Sequence, residues 1–304
     1  MKNNLIALEP NQSAAYVEAV TQAGGQVVPM SPEVRALVWT DYSKPQALAQ
    51  TIQENPQLEW VQLPFAGVDA FNNVLQLPIR FTSAKGAYRE PVAEHALMLC
   101  MALGRKLPER VRAQSWGQKF AVSLYDANVT IIGAGGITEE LLRLLAPFRS
   151  RVTVVRNSAD PMPGAHETMQ LEKLDSALST AHFVILACAL TPATLHLMNL
   201  DRLKKMRPEA YLINVARGPH VVSSDLIEAL ENGIIAGAGI DVTDPEPLPD
   251  GHPLWQAPNL IITPHTADTN VQVERLFSER LRVNVAAFLG GGQWLGIVDP
   301  KLGY

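Results

Sequence analysis

With 304 residues the chain is long enough for two domains of ordinary size, each with its own core. Hydrophobic residues at 47% and charged residues at 18% match a folded globular protein and exclude a disordered one. Lys and Arg number 25 against 30 Asp and Glu, a net charge of −5 with no block of one sign, which excludes the basic footprint of a nucleic-acid binder.

The N-terminus, MKNNLIALEP, offers only Leu5 to Leu8 as an apolar run, too little for a secretory signal, so a cytoplasmic location is expected. Apolar stretches such as 183–190 fall short of the roughly 20 residues that span a bilayer, so no membrane partner is expected. Cys100 and Cys188 lie in apolar runs without a Cys/His cluster and read as buried, inert thiols.

The first hundred residues alternate short apolar strands (4–8, 26–28, 36–39, 59–63) with helical stretches such as SAAYVEAVTQAGG, the pattern of a small α/β domain. Residues 91–107, PVAEHALMLCMALGRKL, form a helix apolar on nearly every side, which predicts burial between domains or subunits. Its His95 reads as a satisfied interdomain histidine and not a catalytic one. From residue 128, β-branched runs (128–132, 151–155, 182–187, 210–215, 234–240, 260–263) alternate with helices. Continuous apolar strands separated by helices predict a parallel sheet covered on both faces, a doubly wound α/β fold. The last helix, 271–291, has nothing left to join in that sheet and is expected to return to the first domain. The expected division is 1–94 plus 275–304 for the smaller domain and 95–274 for the larger.

In NVTIIGAGGITEELLRLL, Gly133 and Gly135 stand where a strand turns into a helix. There the first glycine permits the tight turn, the second lets backbone approach a pyrophosphate, and the helix N-terminus supplies amides and positive dipole. Thr138 replaces the third glycine, which predicts a slightly displaced helix. The second strand ends in Arg156, Asn157 and Ser158; a guanidinium here favours the 2′-phosphate of NADP over NAD, the alternative being a solvated Arg156 with Asp160 on the ribose. Arg217, Glu246 and His265 each follow a later parallel strand, so the carboxyl edge of the sheet gathers them with the glycine loop. The other histidines show no metal-ligand spacing.

VQLPFAGVD (61–69), GAYREPVAEHALML (86–99), GAGGIT (133–138), ALTPAT (189–194), LINVARG (212–218), GIDVTDPEP (239–247) and TPHTA (263–267) together resemble the D-isomer-specific 2-hydroxyacid dehydrogenase family over nearly the whole chain. The resemblance implies a Rossmann-like cofactor domain inserted into a flavodoxin-like substrate domain, a homodimer through the helix at 91–107, and hydride exchange between a nicotinamide and a small 2-keto or 2-hydroxy acid. It implies His265 as the acid and base, Glu246 as its orienting carboxylate, and Arg217 on the substrate carboxylate and carbonyl. Ala66, Gly67 and Val68 would add backbone amides to that carboxylate, and Asp241 would reach the nicotinamide carboxamide. Gly133, Gly135, Gly136, Ile137, Arg156, Asn157, Ser158, Leu190, Pro192, Val215 and Ala216 would line the cofactor, with NADPH preferred and NAD possible, and no metal. Glyoxylate, hydroxypyruvate or a bulkier keto acid are the candidate substrates; Phe65, Tyr88 and Trp255 are candidates for the pocket wall. Two other readings keep the fold: a dinucleotide-sensing binding protein, and a phosphite-type dehydrogenase. A formate-type enzyme would call for Gln where Glu246 stands. No separate regulatory domain is expected.

Overall fold

The computed structural model describes residues 3–158 and 160–301. Two compact units emerge, one from the residues up to Tyr88 together with those from Thr269 onward, the other from Arg89–Asp268. Both divisions fall six residues ahead of the expected 94/95 and 274/275, because each junction is the start of a helix that stays whole on one side.

The first unit carries β1 (Leu5–Glu9), α1 (Ala14–Gln22), β2 (Gln26–Val27), β3 (Ala36–Trp39), α2 (Pro45–Glu54), β4 (Trp60–Gln62) and β5 (Arg80–Thr82). Ser13 caps α1 by accepting the amide of Tyr16 at 3.2 Å. All five strands run parallel in the order β2-β1-β3-β4-β5, the flavodoxin-like arrangement. Leu37, Val61, Leu63, Phe71 and Ile52 fill its core.

The second unit opens with α3 (Arg89–Gly104) and α4 (Leu107–Arg110), then β6 (Asn128–Ile132), α5 (Gly136–Leu145), β7 (Arg151–Arg156), β8 (Glu167–Gln170), α6 (Leu174–Leu178), β9 (Phe183–Leu186), α7 (Leu200–Leu203), β10 (Tyr211–Asn214), α8 (Ser223–Glu231), β11 (Gly237–Ile240) and β12 (Leu260–Ile262). Its seven strands pair in parallel as β12-β11-β10-β9-β6-β7-β8, the doubly wound order with its reversal at β6. Side chains alternate between two cores, as the period of two requires. Ile131, Ile185 and Ile213 pack under Leu99 of α3 and Leu141 of α5, while Ile132, Leu186 and Leu212 face Leu178 of α6 and Leu226 of α8. No helix among the described residues is long and apolar enough to cross a membrane.

Register positions the site. Ile132 pairs with Val155 and Leu186, Leu186 with Asn214, Asn214 with Ile240, and Ile240 with Ile262. Six strands therefore end level, and Gly133, Arg156, Ala187, Val215, Asp241 and Thr263 stand at or just past that edge.

The chain returns to the first unit through α9 (Asn270–Phe288), opened by a capping box between Thr269 and Gln272. What holds it there is a buried polar network. Asn284 donates to Gln62 Oε1 at 2.7 Å and to the Leu295 carbonyl at 2.9 Å, and its oxygen accepts the Leu295 amide at 2.9 Å. Thr82 Oγ1 donates to the same Gln62 oxygen at 2.7 Å and accepts Trp60 Nε1 at 2.8 Å.

Candidate active site

At the end of β6, Gly133 holds φ at +117°, and a Cβ there would lie 2.4 Å from the Ala187 carbonyl oxygen, so only glycine fits. At Gly135 a Cβ would meet nothing within 4 Å. Gly135 is also the N-cap of α5 and gives it no side-chain cap. The first amides of α5, from Gly136 and Ile137, have no partner within the helix and face the strand edge with the positive end of the dipole. Thr138, expected to displace the helix, turns its buried hydroxyl back to donate to the Gly133 carbonyl at 2.9 Å. The loop is thereby pinned by a hydrogen bond where a glycine would have given close contact. Arg156 ends β7; beyond it Ser158 and Asp160 hydrogen-bond to each other, and the Asn157 carbonyl accepts Gln170 Nε2 at 3.3 Å. Leu190 and Pro192 lie in the loop after β9, Pro192 exposed, and Val215 and Ala216 are buried just past β10.

Arg217 follows in extended backbone, its turn fixed from behind by Asn214. The Asn214 amide donates to the Arg217 carbonyl at 2.8 Å and its oxygen accepts the Ala216 amide at 3.0 Å. Buried His220 adds Nδ1 to the same carbonyl at 2.9 Å. A Cβ at Gly218 would sit 1.9 Å from the Thr243 carbonyl oxygen. That close approach presses the Arg217 turn onto the segment that carries Glu246. Glu246 Oε1 meets His265 Nδ1 at 2.6 Å, with the side chains 40% and 48% exposed. The hydrogen bond that His265 donates to Glu246, backed by the carboxylate's charge, raises the His265 pKa against burial and the Arg217 charge. Burial pushes the Glu246 carboxyl up, but His265, the Thr243 amide and Arg217 together outweigh it and hold it below its ordinary value. The trio can therefore keep an imidazolium protonated beside a guanidinium.

Three successive amides of the following turn end on one residue. His265 N–H donates to the Asp241 carbonyl at 2.8 Å, Thr266 N–H to Oδ1 at 2.9 Å and Ala267 N–H to Oδ2 at 3.0 Å. Thr263 Oγ1 donates to Oδ1 at 2.5 Å, and His95 Nε2 lies 2.9 Å from that hydroxyl and 3.4 Å from Oδ1. Burial would raise the Asp241 pKa; the hydrogen bonds from His95, Thr263 and Thr266 keep it lowered. Ala66, Gly67 and Val68 belong to the first unit, between β4 and the turn at Asp69–Phe71. Beside them the Phe65 ring packs on Tyr42 and Tyr88, at 5.8 and 5.7 Å between centroids. Trp255 donates Nε1 to the Pro249 carbonyl at 2.9 Å. Burial drives both thiols far from reactivity, Cys188 up to about 12. No group of metal-ligating side chains occurs among the described residues.

Residues 96–267 match the family described as D-isomer specific 2-hydroxyacid dehydrogenase, NAD binding domain. An uncharacterized protein of Corynebacterium melassecola is 41% identical over 81% of this chain and 84% of its own length. The glyoxylate reductase/hydroxypyruvate reductase of Homo sapiens is 33% identical over 74% of this chain and 72% of its own. The chain belongs to the D-isomer specific 2-hydroxyacid dehydrogenases. A family structure from Xanthobacter autotrophicus Py2, in complex with NADPH and MES, superposes with a TM-score of 0.88 at 28% identity, covering 99% of this chain and all of that one. This 2-hydroxyacid dehydrogenase is thus an oxidoreductase that works with a nicotinamide cofactor. Its glycine loop fits one: a turn only glycine can make, open space over Gly135, and an uncapped helix N-terminus suit a pyrophosphate. Sequence reasoning missed Asn214, His220, Thr263 and the part taken by His95. Only Asn214 carried a signal, as a polar residue closing an apolar strand.

Proposed function

We propose that this dehydrogenase reduces a small 2-keto acid to the D-2-hydroxy acid, with NADPH preferred over NADH. The observation that carries the reading is the His265–Glu246 pair at 2.6 Å, with Arg217 close enough for its charge to act on both. Bound nicotinamide supplies the hydride. Glu246 engages Nδ1, which leaves His265 Nε2 to give its proton to the carbonyl oxygen and to take it back in the oxidation. Arg217 binds the carboxylate and polarises the carbonyl through its planar fork. Arg156 would clamp the 2′-phosphate with Asn157 and Ser158 beside it, and Gly135, Gly136 and Ile137 would hold the pyrophosphate. Leu190, Pro192, Val215 and Ala216 would line the cofactor, and Asp241 would accept from the nicotinamide carboxamide. Glyoxylate and hydroxypyruvate, substrates named for the human relative, are the first to try.

Initial rates with NADPH and NADH over a panel of keto acids, beside His265→Ala, test this. Turnover that favours NADPH and falls by about 10²–10⁴-fold in the variant is expected. Tight dinucleotide binding without turnover on any keto acid would replace the reading with a sensing role.

We also infer a homodimer through α3. Met98 and Met101 stand 42% and 47% exposed on it, followed by exposed Leu107, Val111, Trp116 and Phe120, an apolar run of the kind that marks an interface. Light scattering at the mass of one chain would refute it.

A further inference from the structure

His265 has φ of +51°, the left-handed region that a residue with a side chain enters only when its surroundings over-determine it. The surroundings that do so are Asp241: its carbonyl and both carboxylate oxygens take the amides of residues 265, 266 and 267 in succession. The Asp241 side chain is 1% exposed, so its aim cannot come from solvent. It comes from Thr263, just past β12, and from His95 of α3. Thr263 has one hydroxyl proton and gives it to Asp241 Oδ1, so the same oxygen must accept from His95 Nε2. That fixes Nε2 of His95 as protonated, pointing at both the hydroxyl and the carboxylate. A hydrogen-bonded line therefore runs from the middle of α3 through Thr263 and Asp241 to the backbone of His265, and through the ring of His265 to Glu246.

We infer that His95 is a positioning residue for the reaction: by donating to Thr263 and Asp241 it holds the 263–267 turn in the form that sets His265 Nδ1 on Glu246. It rests on the acid role proposed for His265. His95 touches neither substrate nor the reacting atoms in this assignment; it acts through two intermediaries. The role fits its 13% exposed side chain and its place on a helix otherwise devoted to packing.

The charged groups that face His265 are Glu246, Arg217, Asp241 and Asp268, so a change in its titration reports on the turn and not on His95 as a neighbouring charge. The chain has 7 histidines, and the His265 ring resonances are identified by their loss in His265→Ala. The experiment compares native protein, His95→Ala and His95→Gln, the last keeping an N–H donor at similar reach, by NMR titration of the cofactor-free protein and by steady-state kinetics with NADPH and glyoxylate. In His95→Ala, the His265 midpoint is expected to move down toward the ordinary histidine value. Its kcat should fall about tenfold while KM stays within about twofold, the signature of a misaligned acid and not of lost binding. His95→Gln should restore both. A His95→Ala protein that keeps the native His265 midpoint and the native kcat, whatever its thermal stability, overturns the inference. So does His95→Gln behaving as badly as His95→Ala. If His265→Ala itself retains turnover, the acid role is lost, and the titration arm still decides whether His95 sets the turn.

Discussion

Each unit buries a polar network, and the two end differently. In the first unit, Trp60, Thr82, Gln62 and Asn284 satisfy one another and two backbone groups of Leu295, so the chain of donors closes on itself. In the second, His95, Thr263 and Asp241 pass their hydrogen bonds outward to the turn of His265, whose ring and Glu246 are about half exposed. A closed network can only fasten elements together, here α9 to β4 and β5. An open one spends the same buried hydrogen bonds on aiming a group that titrates. The contrast predicts that substitutions in the first network will cost stability and leave chemistry intact, with the reverse in the second.

Among the substitutions that test this contrast, the largest break should come at Arg217. Its backbone is held by Asn214, His220 and the Gly218 contact, all independent of its guanidinium. Arg217→Leu is therefore expected to lower kcat/KM by about 10²–10³, the usual cost of removing a donor aimed at developing charge. Its thermal midpoint should match the native protein. A variant that instead unfolds early would mean that the side chain belongs to the scaffold.

Asn284→Leu is the converse. It leaves Gln62 Oε1 one donor short in a buried setting and takes the Asn284 partner from both Leu295 backbone groups, which are part-buried. Stranded buried polar groups should cost about 2–3 kcal/mol, read as a shift in denaturant midpoint, with kcat of the folded protein unchanged. A loss of kcat at permissive temperature would show that the first unit's network also reaches the chemistry.

These two networks also mark where the sequence was readable. The apolar strands β9 and β10, the glycine turn at Gly133 and the strand-end positions of Arg217, Glu246 and His265 follow from periodicity and punctuation, since a parallel sheet repeats one local pattern. The edge strand β8, ETMQ, gives no apolar run because none of its residues is fully buried, and β5 is three residues long. His95 sits in a mostly apolar helix and Asn284 among the many polar side chains of α9, and in neither does anything local separate a fastening residue from an aiming one. Their partners, Thr263 and Gln62, lie 168 and 222 residues away in sequence. Only the level strand ends and the return of α9 bring them into reach.

Glu246→Gln sharpens the comparison by keeping the shape of the open network and removing its charge. Native His265 is held protonated above its ordinary value of 6.5, so reduction should persist to correspondingly higher pH. Without the carboxylate, that support goes and the alkaline limb of kcat/KM for keto-acid reduction should move to lower pH. An unmoved limb would mean that another group sets the proton supply.

The smallest effect concerns stability against pH, where the two networks differ in kind. The raised His265 pKa contributes stability that is whole below 6.5 and lost as pH rises through the folded value; the lowered Glu246 pKa contributes stability present above 4.5 and lost as pH falls through its folded value. Both contributions coincide between those ordinary values, so the pair stabilises most from pH 4.5 to 6.5. With side chains 40% and 48% exposed, solvent screening limits it to about 0–1 kcal/mol. The difference in denaturant midpoint between native protein and Glu246→Gln should therefore be largest in that window and shrink on either side. No member of the Trp60, Thr82, Gln62 and Asn284 network changes charge across this range, so the Asn284→Leu deficit should stay constant with pH. If that deficit varied with pH while the Glu246→Gln difference stayed flat, the division between a closed, fastening network and an open, titrating one would not hold.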